Sequence, residues 1–176
     1  APDPKGKPAA PVKAAKAAGK GVWVPQGMFR LDSPLEVQGI AIRGAGMWHT
    51  TIEGAGFMGT GDGIGVYDLK IDVGVTGRHD ELREAAFDGT FGKGSTIQGV
   101  WVEHAKAGIW SVRSDDEDGG IATDGLYAAG MRIRDTYADG INFSTGTANS
   151  MAEQNAIRNT GDDSIAIWSS QPDGVS

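Results

Sequence analysis

The chain has no cysteine, which rules out disulfides and thiolate-bound metals. It has no run of 18 apolar residues, so the sequence offers no membrane-spanning helix. Positive charge is the scarcer sign: 16 Lys and Arg stand against 23 Asp and Glu, for a net charge of −7. That balance argues against nucleic acid and anionic membranes as partners. The first residues, Ala1-Pro2-Asp3-Pro4, carry neither a charged start nor an apolar stretch. No secretory leader is read there, and a mature end left by processing fits. Glycine is abundant instead, at 28 of 176 residues, about 16% against roughly 7% in average proteins. Frequent glycine means frequent turns and short elements. At this length one domain with a sizeable core is expected.

Residues 1–10 are rich in Pro, Lys, Gly and Ala and read as a flexible lead. Residues 11–18, PVKAAKAA, predict a short helix, with Pro11 in its first turn and Gly19 just past its end. Residues 1–20 are therefore assigned to a lead and capping helix. RHDELREAAF, residues 78–87, has the composition for two more helical turns. The rest, 21–176, alternates apolar runs of three to five residues with glycine turns. Phe29 and Leu31, Leu35 and Val37, Ile40 and Ile42 follow at period two. This is an all-β pattern, open to a sandwich, a barrel or a solenoid.

Internal repeats choose among the three. Ile133 and Ile157, Arg134 and Arg158, Thr136 and Thr160, Ile141 and Ile165, and Phe143 and Ile167 all lie 24 residues apart. VEHAKAGIW, from Val102, matches the segment from Ile133 at an offset of 31, the excess being absorbed by the acidic insertion SDDEDGG at 114–120. A fixed offset with insertions confined to turns predicts a right-handed parallel β-helix, a solenoid whose coils stack to bury their apolar faces.

The same register places Asp139 and Asp163 on successive coils, about 4.8 Å apart along the axis. Asp162 then sits over Ala138. Three carboxylates are thus expected at one point of the wall. Like charges stacked this closely disfavour full ionisation, which favours a carboxylic acid beside carboxylates. Hydrolysis of a glycosidic bond needs that combination: one group to protonate the leaving oxygen and others to deprotonate a water. An inverting arrangement calls for roughly 6.5 to 9.5 Å between acid and base. The plain alternative is that Asp-Gly and Gly-Asp-Asp are common turn sequences. The coincidence of three aspartates in one stack is what lifts the catalytic reading above it.

YADGINF followed by NTGDDSIAIW resembles glycoside hydrolase family 87, the bacterial α-1,3-glucanases or mutanases. IRGAGMWHTTIEG (42–54) and GKGVWVPQGMFRL are similar to β-helix stretches of that family, and the resemblance spans about residues 10–170. It implies a secreted, extracellular, endo-acting and inverting glycosidase, with an α-glucan polysaccharide as partner and no required cofactor. By position it implies Asp162 as general acid, with Asp139 and Asp163 activating water. The absence of cysteine fits a bacterial secreted protein. The family's helix continues beyond the Asp-Asp pair. The expected further partner is therefore the remaining C-terminal coils of the same enzyme, on a second chain if the enzyme is nicked, so that 21–176 is an incomplete catalytic domain.

Trp110, Trp168 and Asn142 are the candidate substrate contacts, since indole faces stack on sugars and amides bond hydroxyls. The bland reading gives the aromatics to core and turn packing. Asp115, Asp116 and Asp118, with Glu117, are a weaker candidate for a structural Ca²⁺ than for a solvated acidic loop. His49, His79 and His104 lack zinc-ligand spacing. Arg134 and Arg158 stack and call for acidic neighbours, with Asp135 and Glu153 as candidates. Two competing functions remain. A polysaccharide lyase or polygalacturonase-like enzyme would act on an anionic polymer, which the negative charge disfavours. A non-catalytic β-helix adhesin or carbohydrate-binding solenoid would need no carboxylate cluster.

Overall fold

The computed structural model describes residues 9–112 and 120–168. Helix α1 (Ala9–Ala17) precedes a series of coils, each made of three short strands. The first coil holds β1 (Val22–Val24), β2 (Gly27–Arg30) and β3 (Leu35–Val37); the second β4 (Ala41–Gly44), β5 (Thr50–Glu53) and β6 (Phe57–Gly61). The third holds β7 (Gly65–Tyr67), β8 (Lys70–Asp72) and β9 (Phe87–Phe91); the fourth β10 (Thr96–Gln98), β11 (Trp101–Glu103) and β12 (Ile109–Ser111). The fifth holds β13 (Tyr127–Ala129), β14 (Arg132–Thr136) and β15 (Ile141–Ser144); the sixth β16 (Met151–Glu153), β17 (Ala156–Thr160) and β18 (Ile165–Trp168). Corresponding strands pair in parallel into three six-stranded sheets, led by β1, β2 and β3. This is a parallel β-helix.

The predicted register holds. Ile133 pairs with Ile157, Arg134 with Arg158 and Thr136 with Thr160; Ile141 pairs with Ile165 and Phe143 with Ile167. Val102 pairs with Ile133, so the offset of 31 is also a true register. The core is a set of rows running along the axis. Val66, Ile97 and Ala128 form one, Ile71, Val102 and Ile133 a second, and Phe57, Phe87, Ile109 and Ile141 a third, all buried. Phe57 and Phe87 stack with ring centres 5.8 Å apart. Each row buries its methyl groups against the coil above and below, which no single coil could do.

From the third coil to the sixth, the bend between the first and second sheets falls on one left-handed residue per coil. Asp68, Gly99, Gly130 and Gln154 take φ of 54°, 64°, 59° and 53° and follow Tyr67, Gln98, Ala129 and Glu153, which are in register. Glycine fills two of the four because a side chain is disfavoured there. The helix expected at 11–18 is present as α1, capping the first coil with buried Val12. The helical turns expected at 78–87 are absent: the segment is irregular up to Phe87, which begins β9. Its carbonyls at Asp80, Leu82 and Glu84 bond to Lys106 instead of to a helical ladder. Tertiary partners outcompete local propensity here. The acidic insertion with Asp115, Asp116, Glu117 and Asp118 lies outside the described residues.

Candidate active site

Asp139, Asp162 and Asp163 occupy the turns that join the second sheet to the third. Those turns stack directly: Gly140 N donates to the Asp163 carbonyl at 2.9 Å and Asp162 N to the Ala138 carbonyl at 3.2 Å. Asp139 and Asp163 therefore share a position one coil apart, and Asp162 lies over Ala138, as the 24-residue offset predicts. Close stacking needs Gly140. A Cβ there would meet Ile157 Cγ2 and the Ser164 carbonyl oxygen at 2.5 Å each.

The three carboxylates converge, each offering an oxygen within 4.8 Å of the others. The nearest oxygens are thus closer than the roughly 6.5 to 9.5 Å anticipated between acid and base. The reason is local: backbone bonds draw the 161–163 turn down onto the coil below, with Gly161 N bonded to the Thr136 and Ala138 carbonyls at 2.9 and 3.1 Å. The environments differ. Asp139 is buried; its Oδ2 accepts from Asn142 Nδ2 at 2.7 Å and its Oδ1 from Asp163 N at 3.1 Å. Asp162 is half exposed and its Oδ2 pairs with Arg78 Nη1 at 3.0 Å. Asp163 is exposed.

Asn142 is buried and spends its amide on Asp139, with its Oδ1 unpartnered. It orients a carboxylate, and an open sugar-facing position is not what the structure gives it. Trp110 lies in the outward row of the third sheet, in register with Asp88 below and Asn142 above. Lys106 Nζ sits 4.5 Å from its ring centre. Trp168 pairs with Ser144 at the end of β18 and is exposed. The structure therefore brings Trp110 and Asn142 to the face beside the carboxylates, with Trp168 at its upper edge. Of the other asparagines, Asn155 serves the turns, accepting from Met131 N and donating to the Ala128 carbonyl, and Asn159 bonds Asp135.

Sequence reasoning missed four charged residues of this face. Arg78 reaches Asp162 from 84 residues away. Asp88 is buried, and desolvation pushes its carboxyl above the usual aspartate value, with Arg83 and Lys106 opposing the shift. Arg83 Nη1 bonds Asp88 at 3.1 Å. Lys106 is buried among loop carbonyls. Arg78 and Arg83 escape notice because the loop between β8 and β9 has no counterpart in the repeat, and Asp88 and Lys106 because their burial depends on how that loop covers them.

A second cluster, Asp72, Glu103 and His104, lies on the outer face of the second sheet, also with ligand atoms within 4.8 Å of one another. Cations neutralise it. Lys70 pairs with Glu103, and Arg134 Nη2 reaches Glu103 Oε2 at 2.8 Å. Burial pushes the Glu103 carboxyl up, but its bonds to Lys70 and Arg134 outweigh that and hold it below the usual glutamate value. Arg134 thus finds Asp135, at 3.6 Å, as expected, and Glu103 in addition.

The profile of the α-1,3-glucanase catalytic domain D2 family matches residues 11–176. Solved structures share the fold. The catalytic domain of Agl-KA is 34% identical with a TM-score of 0.84, over 92% of this chain and 31% of that one. The catalytic unit of a thermostable GH87 α-1,3-glucanase from Streptomyces thermodiastaticus strain HF3-3 is 32% identical with a TM-score of 0.83, over 95% and 31%. A GH87 α-1,3-glucanase variant solved with tetrasaccharides is 26% identical with a TM-score of 0.73, over 100% and 34%. This chain spans about a third of the length of these structures. Among curated proteins nothing matches.

Proposed function

The chain belongs to the α-1,3-glucanase catalytic domain D2 family, within glycoside hydrolase family 87, and on that footing we propose that it cleaves α-1,3-glucan by inverting acid–base hydrolysis on three aspartates. The observation that carries the reading is the convergence of Asp139, Asp162 and Asp163 from two coils; their nearest oxygens lie inside the usual inverting separation, so inversion itself rests on the anomer test below. Asp162 gives its proton to the leaving glycosidic oxygen as the bond from that oxygen to C1 breaks. A water held by Asp139 and Asp163 attacks C1 from the opposite face, and its proton passes to that pair. One glycosidic bond and one water thus become two hydroxyl groups, and solvent restores the protonation states. Asn142 fixes Asp139, and Trp110 and Trp168 offer indole faces to the sugar.

The enzyme is proposed to be extracellular and endo-acting, needing no cofactor, with further coils stacked on β16, β17 and β18 from the same enzyme, on this polypeptide or a second. Exposed Met151 in β16 and Ile165, Ile167 and Trp168 in β18 support the last point. Mass spectrometry of purified enzyme tests it: an active enzyme of this chain alone would overturn it. The chemistry is tested by NMR of the first product released from α-1,3-glucan. A β anomer is expected; an α anomer would remove Asp139 and Asp163 from the role of water activators.

A further inference from the structure

The loop between β8 and β9, residues 73–86, is tied to the coil above it at both feet. Val75 N donates to the His104 carbonyl and Ala86 N to the Ala107 carbonyl, each at 2.9 Å, while Lys106 N donates to the Glu84 carbonyl at 2.8 Å. Val73, Val75, Ala85 and Ala86 are buried. The middle is pegged by Lys106, a buried ammonium that donates to the Leu82 carbonyl and, at 3.4 Å, to the Asp80 carbonyl. Inside the loop His79 Nδ1 meets Glu84 Oε2 at 2.9 Å. The result is a braced strap. Its outermost cation, Arg78, leans from the third coil to the sixth, where Nη1 lies 3.0 Å from Asp162 Oδ2. Asp80, its backbone held by Lys106, takes Arg78 Nε at 2.8 Å and fixes the plane of the guanidinium.

Both ends of the Arg78–Asp162 pair are about half exposed, and exposed pairs of this kind add little to stability. A braced loop that delivers one cation to one carboxylate of a three-aspartate cluster calls for another explanation. Resting on the reading of Asp162 as general acid, we propose that Arg78 is a positioning residue of the hydrolysis, holding the Asp162 carboxylate and stabilising the negative charge that develops on it as its proton leaves. The charge appears during proton transfer, so the bond strengthens towards the transition state. No atom of Arg78 needs to touch the sugar. The bridge to Asp80 and Asp162 also holds the Arg78 guanidinium above its usual value, so it stays charged wherever the enzyme works. Among the described residues, the charged groups at Asp162 are Arg78, Asp139 and Asp163, with Asp80 acting through Arg78.

The test is a double-mutant cycle in the intact enzyme on α-1,3-glucan, with kcat and KM measured separately. Arg78→Ala is expected to lower kcat about 10- to 100-fold, the usual worth of a hydrogen bond to a charged group, with KM within twofold and the thermal midpoint unchanged. Arg78→Lys should recover part of the loss by keeping a cation. In an Asp162→Asn background no charge develops, so Arg78→Ala should cost less than twofold. Equal losses in both backgrounds, a change in KM alone, or no loss would each overturn the proposal. If Arg78→Ala disturbs the strap, Asp80→Asn frees the guanidinium without removing it and is read by the same cycle. Failure of the hydrolytic reading is separately visible, since Asp162→Asn alone would then retain full activity.

Discussion

Two clusters of acidic groups lie on this helix wall, and they differ in how they are neutralised. Asp72 and Glu103, with His104, face Lys70 and Arg134 on the outer surface of the second sheet, and Glu103 is bonded by both cations. Asp139, Asp162 and Asp163 converge as tightly, but Arg78 is the one cation bonded to any of them among the described residues, and it reaches the cluster from a loop. Proximity of carboxylates is therefore not the mark of a site. A cluster matched by cations is a structural ion network, whereas the stacked turn leaves Asp139 and Asp163 without a bonded cation among the described residues.

The largest effect that would break this comparison lies in the cluster of Asp139, Asp162 and Asp163. Asp139→Asn, Asp162→Asn and Asp163→Asn should each lower activity on α-1,3-glucan about 10²- to 10⁴-fold, the usual range for general acid–base groups, with the fold retained by circular dichroism. Glu103→Gln is the matched control: it should leave kcat unchanged. A loss of activity at Glu103 as large as at Asp162 would erase the distinction between the clusters.

Next in size are the structural costs. Gly140→Ala places a methyl against the Ser164 carbonyl and Ile157; overpacking of this kind costs about 1 to 3 kcal/mol, read by urea unfolding, and the shifted turn should take activity down with it. Glu103→Gln removes the acceptor shared by Lys70 and Arg134. Its cost should be about 1 to 2 kcal/mol, below the usual worth of charged hydrogen bonds because both cations are partly solvated.

The smallest effect is in the acid dependence of stability, and its sign differs between two carboxylates. The Glu103 carboxyl is held below its ordinary value of 4.5 in the fold. Its stabilisation is complete above that value and is lost as pH falls through the folded value. Asp88 is raised above 3.8 by burial, so the native state binds its proton more tightly than the unfolded chain. Its contribution favours folding at low pH and is lost as pH rises from 3.8 through the raised value. Unfolding followed from pH 3 to 7 should show a shallower acid-side loss in Glu103→Gln, and a steeper net gain with rising pH in Asp88→Asn, than in the parent.

Much of this was legible in the sequence because a solenoid writes its tertiary neighbours as a constant offset. Ile133 and Ile157 could be paired on paper since each coil buries its isoleucine only by placing it over the next. Asp139 and Asp163 followed at no further cost. The strap was misread as helix because REAAF and its flank have helical composition, while the groups that claim its carbonyls lie on Lys106, about two dozen residues away. Asn142 was read as a sugar contact, although its burial and its bond to Asp139 depend on what covers the sheet.

The sequence alone thus determined the fold class, the coil register and the aspartate trio, because period and stacking are one-dimensional properties of a β-helix. The tertiary structure alone decided which charges meet across unrepeated segments. Arg78 reaches Asp162, and Lys70 and Arg134 neutralise Glu103, because the direction and reach of long side chains depend on how loops lie against the wall. No periodicity encodes that.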